Sequence, residues 1–161
     1  MSAELPSGRR LVIGIGNPWR GDDGVGAVVV ERLEADPAPG VAHLSVHQLL
    51  PEQAEAIHAS AVVVFVDASA ALPPGEVVTG RVHPDARAAA TAHHFSPGQL
   101  LALTRALHGE APAAFLVQVG AATFDGRGLS PETGAAVERA ADAVRQLLSG
   151  SASPGPSGPG D

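Results

Sequence analysis

Two adjacent acids, Asp22 and Asp23, follow a short apolar run near the start of the chain. The run covers residues 11–15 and ends at Gly16-Asn17-Pro18, which is typical of a buried strand leading into a glycine-rich turn. Ligands of open α/β sheets bind in the crevice outside the carboxyl ends of the strands. The sequence therefore predicts a ligand site at the turn that carries these two carboxylates.

A third acid and a pair of histidines stand at comparable positions further along the chain. Asp67 follows the continuous apolar run 61–66, and His93 and His94 come just before a helix start. If Asp23, Asp67 and His94 meet at the carboxyl end of the sheet, they form a metal site that accepts Ni, Zn, Mn or Fe. The imidazole binds metal only when neutral, so binding would weaken below about pH 6.5.

Simpler explanations compete for each of these residues. Asp22 or Asp23 can cap the following helix, Asp67 can cap a helix or loop, and a histidine before a helix can be a surface or capping residue. A dinucleotide fingerprint is excluded, because Gly14-x-Gly16 is followed by Gly21 rather than by a glycine three residues on. The chain also lacks the GxSxG motif of serine hydrolases and the HExxH motif of zinc proteases.

The hydrophobic pattern predicts alternating strands and helices that would hold these residues. Ser96-Pro97 and Ser130-Pro131 are typical helix starts, and the run 76–83 alternates like an edge strand. The pattern predicts a three-layer α/β sandwich with a twisted, mostly parallel five-stranded sheet, helices on both faces and an edge strand free to run antiparallel. The predicted strands cover 11–15, 41–46, 61–66, 76–83 and 113–119, and the helices begin near residues 24, 51, 97 and 131.

Composition limits the classes of function. The 161 residues suit one domain over 1–148, followed by a Gly/Pro/Ser-rich tail over 149–161 that we expect to be disordered. A net charge of −7 argues against nucleic acid or an anionic membrane as partner, and the absence of cysteine excludes thiolate chemistry. No signal-peptide core or membrane-length apolar run is present, so we expect a cytoplasmic protein.

Several of these stretches together resemble the hydrogenase maturation proteases, endopeptidases that trim the C-terminal extension from the large subunit of nickel–iron hydrogenases. The resemblance covers roughly residues 11–148, and its most specific part lies in the first turn. The residues that carry it are Gly14-x-Gly16-Asn17, Arg20-Gly21-Asp22-Asp23-Gly24-Val25-Gly26, Val66-Asp67-Ala68, His94-x-x-Pro97 and Leu129-Ser130-Pro131-Glu132.

The resemblance implies that Asp23, Asp67 and His94 are the metal-binding and catalytic residues. The metal would be nickel already inserted in the large-subunit precursor, so that only a loaded precursor is cut, and the protein would act on it as a monomer. The residues expected to contact the substrate are Gly16, Asn17, Asp22, His47, Gln48 and His93.

Two positions depart from the pattern of the family. Some members carry the metal-binding histidine one residue after the helix-opening proline, where this chain has Gly98, and His93 competes with His94 for the role. Many members have an acid followed by Gly-Gly-Thr after the second strand, where this chain has His47-Gln48-Leu49. The second departure concerns the loop expected to face the substrate.

Two other functions remain as alternatives. Peptidyl-tRNA hydrolases also begin with a strand ending in Gly-x-Gly-Asn-Pro, but this chain has acids where they have Thr-Arg-His-Asn, and its charge has the wrong sign for tRNA. A non-enzymatic nickel-sensing or chaperone module would use the same carboxylates and histidine, and turnover alone separates it from a protease.

Overall fold

The computed structural model describes residues 8–87 and 95–150. Five strands form one sheet in the order β2-β1-β3-β5-β4, and all neighbouring pairs are parallel except β4 with β5. The predicted class, with its antiparallel edge strand, is therefore confirmed. The strands are β1 (Arg10–Ile15), β2 (Val41–Val46), β3 (Val62–Ser69), β4 (Val77–Val82) and β5 (Ala113–Gly120).

Four helices cover the two faces of the sheet, and a 3₁₀ turn precedes the first of them. The helices are α1 (Val25–Glu34), α2 (Gln53–His58), α3 (Pro97–His108) and α4 (Pro131–Ser149), and we call the 3₁₀ turn Gly21–Gly24 the acidic turn. One core lies between the sheet and α1 with α4, and the other between the sheet and α2 with α3. β3 contributes to both cores because successive strand residues point to opposite faces.

The two serines predicted as helix caps have that role. The Ser96 side chain accepts a hydrogen bond from the Gln99 backbone N–H in a capping box, and Ser130 accepts one from Thr133. The prediction that Asp22 or Asp23 caps α1 is wrong, because α1 begins at Gly24 with no side-chain cap bond. The acidic turn enters the helix directly, so its carboxylates are available for other contacts.

Element boundaries differ from the sequence pattern in a few places. β3 continues through Asp67 to Ser69, so Asp67 lies inside the strand rather than after it. On α1 Val30 is buried and Val28 is half-buried, and Leu107 of α3 is exposed. The tail 151–161 lies outside the described residues. Within residues 8–87 and 95–150, none of the helices combines the length and the hydropathy that a membrane crossing requires.

Candidate functional site

The site lies where the chain reverses its direction of travel across the sheet. β1 and β3 are neighbours in the sheet, with α1 on one face between β1 and β2 of the chain and α3 on the other face between β3 and β5. Helices that leave neighbouring strands toward opposite faces open a crevice at the carboxyl ends of those strands. The turn after β1 and the end of β3 therefore border the same crevice, as the sequence predicted.

The turn after β1 is folded tightly back on itself. Gly16 has a φ of 133°, and a Cβ at that position would overlap the carbonyl oxygen of Asp23, so only glycine fits. The Asn17 backbone N–H donates to Asp23 Oδ2 at 2.7 Å, and Asn17 Oδ1 accepts from the Trp19 N–H at 2.9 Å. These bonds fix the Asp23 carboxylate at the rim of the crevice. Gly16 and Asn17 thus position Asp23, and their predicted contact with substrate remains a prediction.

Asp67 carries the second carboxylate of the crevice. Its side chain is half-buried on the face of the sheet that Phe65 also covers, and its Oδ1 accepts the Ala68 N–H at 2.9 Å. Burial raises the pKa of Asp67 to about 7 despite that hydrogen bond, and the nearby charge of Asp23 raises it further. The electrostatic coupling shows that the two carboxylates lie close together.

Each of these carboxylates keeps one oxygen without a hydrogen bond to the described residues. Asp23 uses Oδ2 and Asp67 uses Oδ1 for backbone bonds, which leaves Asp23 Oδ1 and Asp67 Oδ2. Two partly desolvated carboxylates that repel each other are stabilised by a cation placed between them. The two oxygens therefore suit a divalent cation as part of a larger set of ligands, and nickel remains a prediction.

The described residues do not supply a third side-chain ligand for a metal beside Asp23 and Asp67. His93 and His94 lie outside residues 8–87 and 95–150, so their predicted roles stay predictions. Within those ranges no group of three histidine, aspartate or glutamate side chains is arranged to hold a metal. The two carboxylates account for part of a coordination sphere, which leaves positions for other ligands.

Asp22, the neighbour of Asp23, has a different environment. It is 0% exposed and accepts hydrogen bonds from the backbone of Ala122, Thr123 and Ser130 and from the Ser130 hydroxyl, at 2.7 to 3.2 Å. Burial by itself would raise the pKa of Asp22, but these bonds outweigh it and hold the pKa below its usual value. Asp22 ties the acidic turn to the loop before α4, and its predicted contact with substrate remains a prediction.

The predicted substrate loop lies beside the crevice. His47 and Gln48 are exposed at the carboxyl end of β2, and the preceding Val46 accepts a hydrogen bond from the Gly16 N–H at 2.9 Å. The loop is therefore held next to the turn that carries Asp23. This arrangement is compatible with the predicted contact between His47, Gln48 and a substrate, which remains a prediction.

Two features of the site were missed in the sequence. Gln118 of β5 is the register partner of Asp67 on the neighbouring strand, and its only signal was one polar residue in an apolar strand. Trp19 is 60% exposed next to the acidic turn, and the Arg127 guanidinium lies 4.2 Å from the centre of its ring. No spacing rule relates residues so far apart in the chain, so the stacking of Trp19 and Arg127 could not be predicted.

Comparison with known proteins gives one consistent result. No family model and no curated protein matches the chain, but solved structures do. The hydrogenase maturating endopeptidase HybD from E. coli is 25% identical, with a TM-score of 0.72 over 87% of this chain and 91% of that chain. The [NiFe] hydrogenase maturation protease HybD from Thermococcus kodakarensis is also 25% identical, with a TM-score of 0.66 over 86% and 98%. The maturation protease HycI from Thermococcus kodakarensis KOD1 shares the fold at 24% identity, with a TM-score of 0.69 over 91% and 94%.

Proposed function

The chain belongs to the hydrogenase maturation proteases, and from that premise we propose that it removes the C-terminal extension of a nickel–iron hydrogenase large-subunit precursor after nickel insertion. One observation carries the proposal: Asp23 and Asp67 form a coupled carboxylate pair at the crevice of a fold shared with HybD from E. coli. In this proposal nickel arrives as part of the substrate.

The two carboxylates have complementary tasks in this reaction. Asp23 is held in one orientation by the Asn17 N–H, so it offers Oδ1 to the substrate without a conformational change. Asp67, whose pKa is about 7 in the free protein, loses its proton when a cation approaches, because the cation stabilises the ionised form. A precursor without nickel does not offset the repulsion between the carboxylates. Recognition of the loaded precursor then follows from electrostatics.

The metal in the loaded precursor supplies charge that polarises a neighbouring carbonyl or lowers the pKa of a bound water. The residues of this chain orient that metal and partly exclude water from it. A precise orientation is worth several orders of magnitude in rate, because it fixes the reacting groups before the reaction begins. His94 would add an imidazole ligand to the same metal.

The test is to incubate the purified protein with nickel-loaded and nickel-free large-subunit precursors and to follow C-terminal loss by mass spectrometry. We expect loss only with the loaded precursor, and none with Asp23→Asn or Asp67→Asn. Asp36→Asn is the matched control, because Asp36 is exposed after α1 and its side chain forms no hydrogen bond in the described structure.

The outcomes separate the possible functions. Cleavage by either site variant at the wild-type rate would refute the role of that carboxylate. Binding of the loaded precursor without any cleavage by the wild-type protein would favour the nickel-sensing or chaperone module. If neither occurs, hydrolysis of peptidyl-tRNA becomes the next assay.

A further inference from the structure

A cleft of about 350 Å³ lies between the edge strand β4 and the start of α3. We call it the β4 cleft; its lining includes Val78, Gly80, Val82, Ser96, Pro97 and Gln118. It lies on the face covered by α2 and α3, where Val82 and Leu116 pack. Asp67 projects from this face too, because it is two residues after Phe65 on β3. Gln118 is the register partner of Asp67, so the cleft begins beside the carboxylate pair.

The outer edge of β4 offers unpaired main-chain groups next to this cleft. Gly120 N–H donates to the Glu76 carbonyl, which places Glu76, Val78, Gly80 and Val82 in the bonded set of the antiparallel ladder. The backbone groups of Thr79 and Arg81, the intervening residues, therefore point away from β5. No other described strand pairs with β4, so these groups meet no main-chain partner among the described residues.

Gly80 keeps the cleft open in the middle of β4. A Cβ at Gly80 would meet no atom of residues 8–87 and 95–150 within 4 Å, so these residues leave the space above Gly80 open. Glycine has an entropic cost in a strand and gives no packing in return, and the φ of Gly80 is not positive. A missing side chain inside a strand often marks a place where another backbone or a ligand approaches closely.

The lining of the cleft combines apolar and polar groups, as binding sites for polypeptides do. Val78, Val82 and Pro97 are apolar, and Gln118 and Ser96 are neutral groups that can hydrogen-bond to a peptide. Arg81, His83 and Asp85 also line the cleft. The outward main-chain groups of β4 recur with the spacing of an extended strand, as in complexes formed by strand addition. From β3 to a segment paired with the outer edge of β4 the distance is three strand spacings, or about 14 Å, which about four to five extended residues can span.

We propose that the precursor's polypeptide next to the cleaved bond binds in the β4 cleft over Gly80 and pairs through its main chain with the outer edge of β4 at Thr79 and Arg81. The proposal rests on the proposed function, since it identifies how the same site holds its substrate. Gln118 is then a positioning residue that aligns this segment beside Asp67.

Gly80→Val tests the cleft because it fills the open space with a residue that strands favour, without a clash in the free protein. We expect KM for the nickel-loaded precursor to rise about tenfold or more while kcat changes little, since substrate binding is lost and not the chemistry. Ser45→Val is the matched control. It adds the same side chain to an exposed position of β2, the edge strand on the opposite side of the sheet from β4. Its KM should stay within about twofold of the wild type.

Amide hydrogen exchange, followed by NMR, tests the main-chain pairing directly. The cleavage-inactive Asp23→Asn variant is mixed with the nickel-loaded precursor. We expect the amides of Thr79 and Arg81 to exchange more slowly in the mixture, while those of Val78 and Gly80, already bonded to β5, change little. A merely structural role for β4 would give no such alternation.

Each outcome bears on one proposal. Equal KM values for Gly80→Val and the wild type, or unchanged exchange at Thr79 and Arg81, would overturn the cleft assignment and leave the protease intact. Slower exchange at these amides in concentrated protein without precursor would identify a second copy of the chain as the occupant, and would also overturn it. Failure of the wild type to cut the precursor would refute the proposed function, and the exchange experiment would still decide whether the cleft binds it.

Discussion

At the scale of single residues, the chain assigns different tasks to two neighbouring acids of the same type. Asp22 accepts four hydrogen bonds inside the protein, whereas Asp23 accepts one and faces the crevice. A carboxylate with that many donors is fixed and ionised, and it has no capacity left for a ligand. The adjacent Asp23, with an oxygen left over, is the one suited to binding.

Asp22→Asn should destabilise the fold while Asp23→Asn should not. In the first variant an NH₂ group replaces either Oδ1, which accepts the Ser130 N–H, or Oδ2, which accepts the N–H groups of Ala122 and Thr123. Either choice leaves a buried donor unsatisfied, which costs about 3 kcal/mol in free energy of unfolding. The second variant keeps a side-chain oxygen for the Asn17 N–H, so we expect a change below about 1 kcal/mol. Urea denaturation of both variants measures these values. Equal stabilities would contradict the structural role of Asp22.

The raised pKa of Asp67 predicts how stability depends on pH. Because the pKa is about 7 in the folded protein and the ordinary value is 3.8, the folded protein holds an extra proton between these pH values. The free energy of unfolding should therefore fall as pH rises through this window, by at most about 1.4 kcal/mol per pH unit, and level off above pH 7. In Asp67→Asn the slope should be smaller and the protein more stable at pH 8.

Denaturation of both proteins at pH 5, 6, 7 and 8 in the absence of metal measures this difference. The Asp36→Asn variant, which changes an exposed acid, should follow the wild-type curve. Parallel curves for the wild type and Asp67→Asn would show that Asp67 titrates normally in the folded state. The electrostatic argument that the two carboxylates favour a nearby cation would then be refuted.

At the scale of elements, the site depends on how closely α1 approaches the sheet. A Cβ at Gly26 would lie 2.7 Å from Ile15 N, Ile15 O and Val66 O, so the first turn of α1 rests on both β1 and β3. These strands lead to Asp23 on one side of the crevice and to Asp67 on the other. The close contact thus sets the separation between the two carboxylates.

Gly26→Ala should move α1 away from the strands and reduce both stability and cleavage. Overpacking of this kind costs typically about 1–3 kcal/mol, since the contacting atoms are backbone and cannot rotate away. Gly134→Ala in α4 is the control, because its Cβ would meet only Leu129 Cβ at 3.9 Å and alanine favours helix. Thermal melts should show a lower Tm for Gly26→Ala and an equal or higher Tm for Gly134→Ala. The opposite order would refute the close-packing argument.

At the scale of the whole molecule, the described surface offers little to a stable partner copy. Trp19 and Leu107 are the exposed large hydrophobics among the described residues, at 60% and 63%, and they lie at opposite ends of the sheet. Stable homodimers need a contiguous apolar interface of about 1,000 Å² or more. The net charge of −7 adds repulsion between copies at low salt.

We therefore expect a monomer at micromolar concentration. Light scattering coupled to size exclusion should give the mass of one chain, independent of protein concentration between about 10 and 100 μM. A Trp19→Ala variant should give the same mass, because one exposed side chain that stacks with Arg127 of the same chain does not form a contiguous apolar interface. A mass that doubles with concentration would contradict the expectation and would point to the free edge of β4 as the contact.

Much of the fold could be predicted because local rules agreed with the tertiary structure. The continuous apolar run before Asp67 is typical of a strand covered on both faces. Ser96-Pro97 and Ser130-Pro131 start helices because serine accepts a backbone hydrogen bond at the N-cap and proline suits the first helical position. The sequence also predicted that two acids meet at the crevice, because Asp23 follows β1 and Asp67 lies near the end of β3, and the carboxyl ends of these parallel strands share one edge.

Only the tertiary structure decided how those residues differ. The four donors to Asp22 come from residues about 100 positions away, so no local pattern distinguishes Asp22 from Asp23 or predicts that neither caps α1. The pKa of Asp67 and the position of Gln118 beside it likewise arise from strands that meet only in the folded sheet. The spacing of apolar residues and the helix caps involve residues close together in the chain, so the sequence predicts them. Burial and the interaction between charges depend on which distant segments the fold brings together.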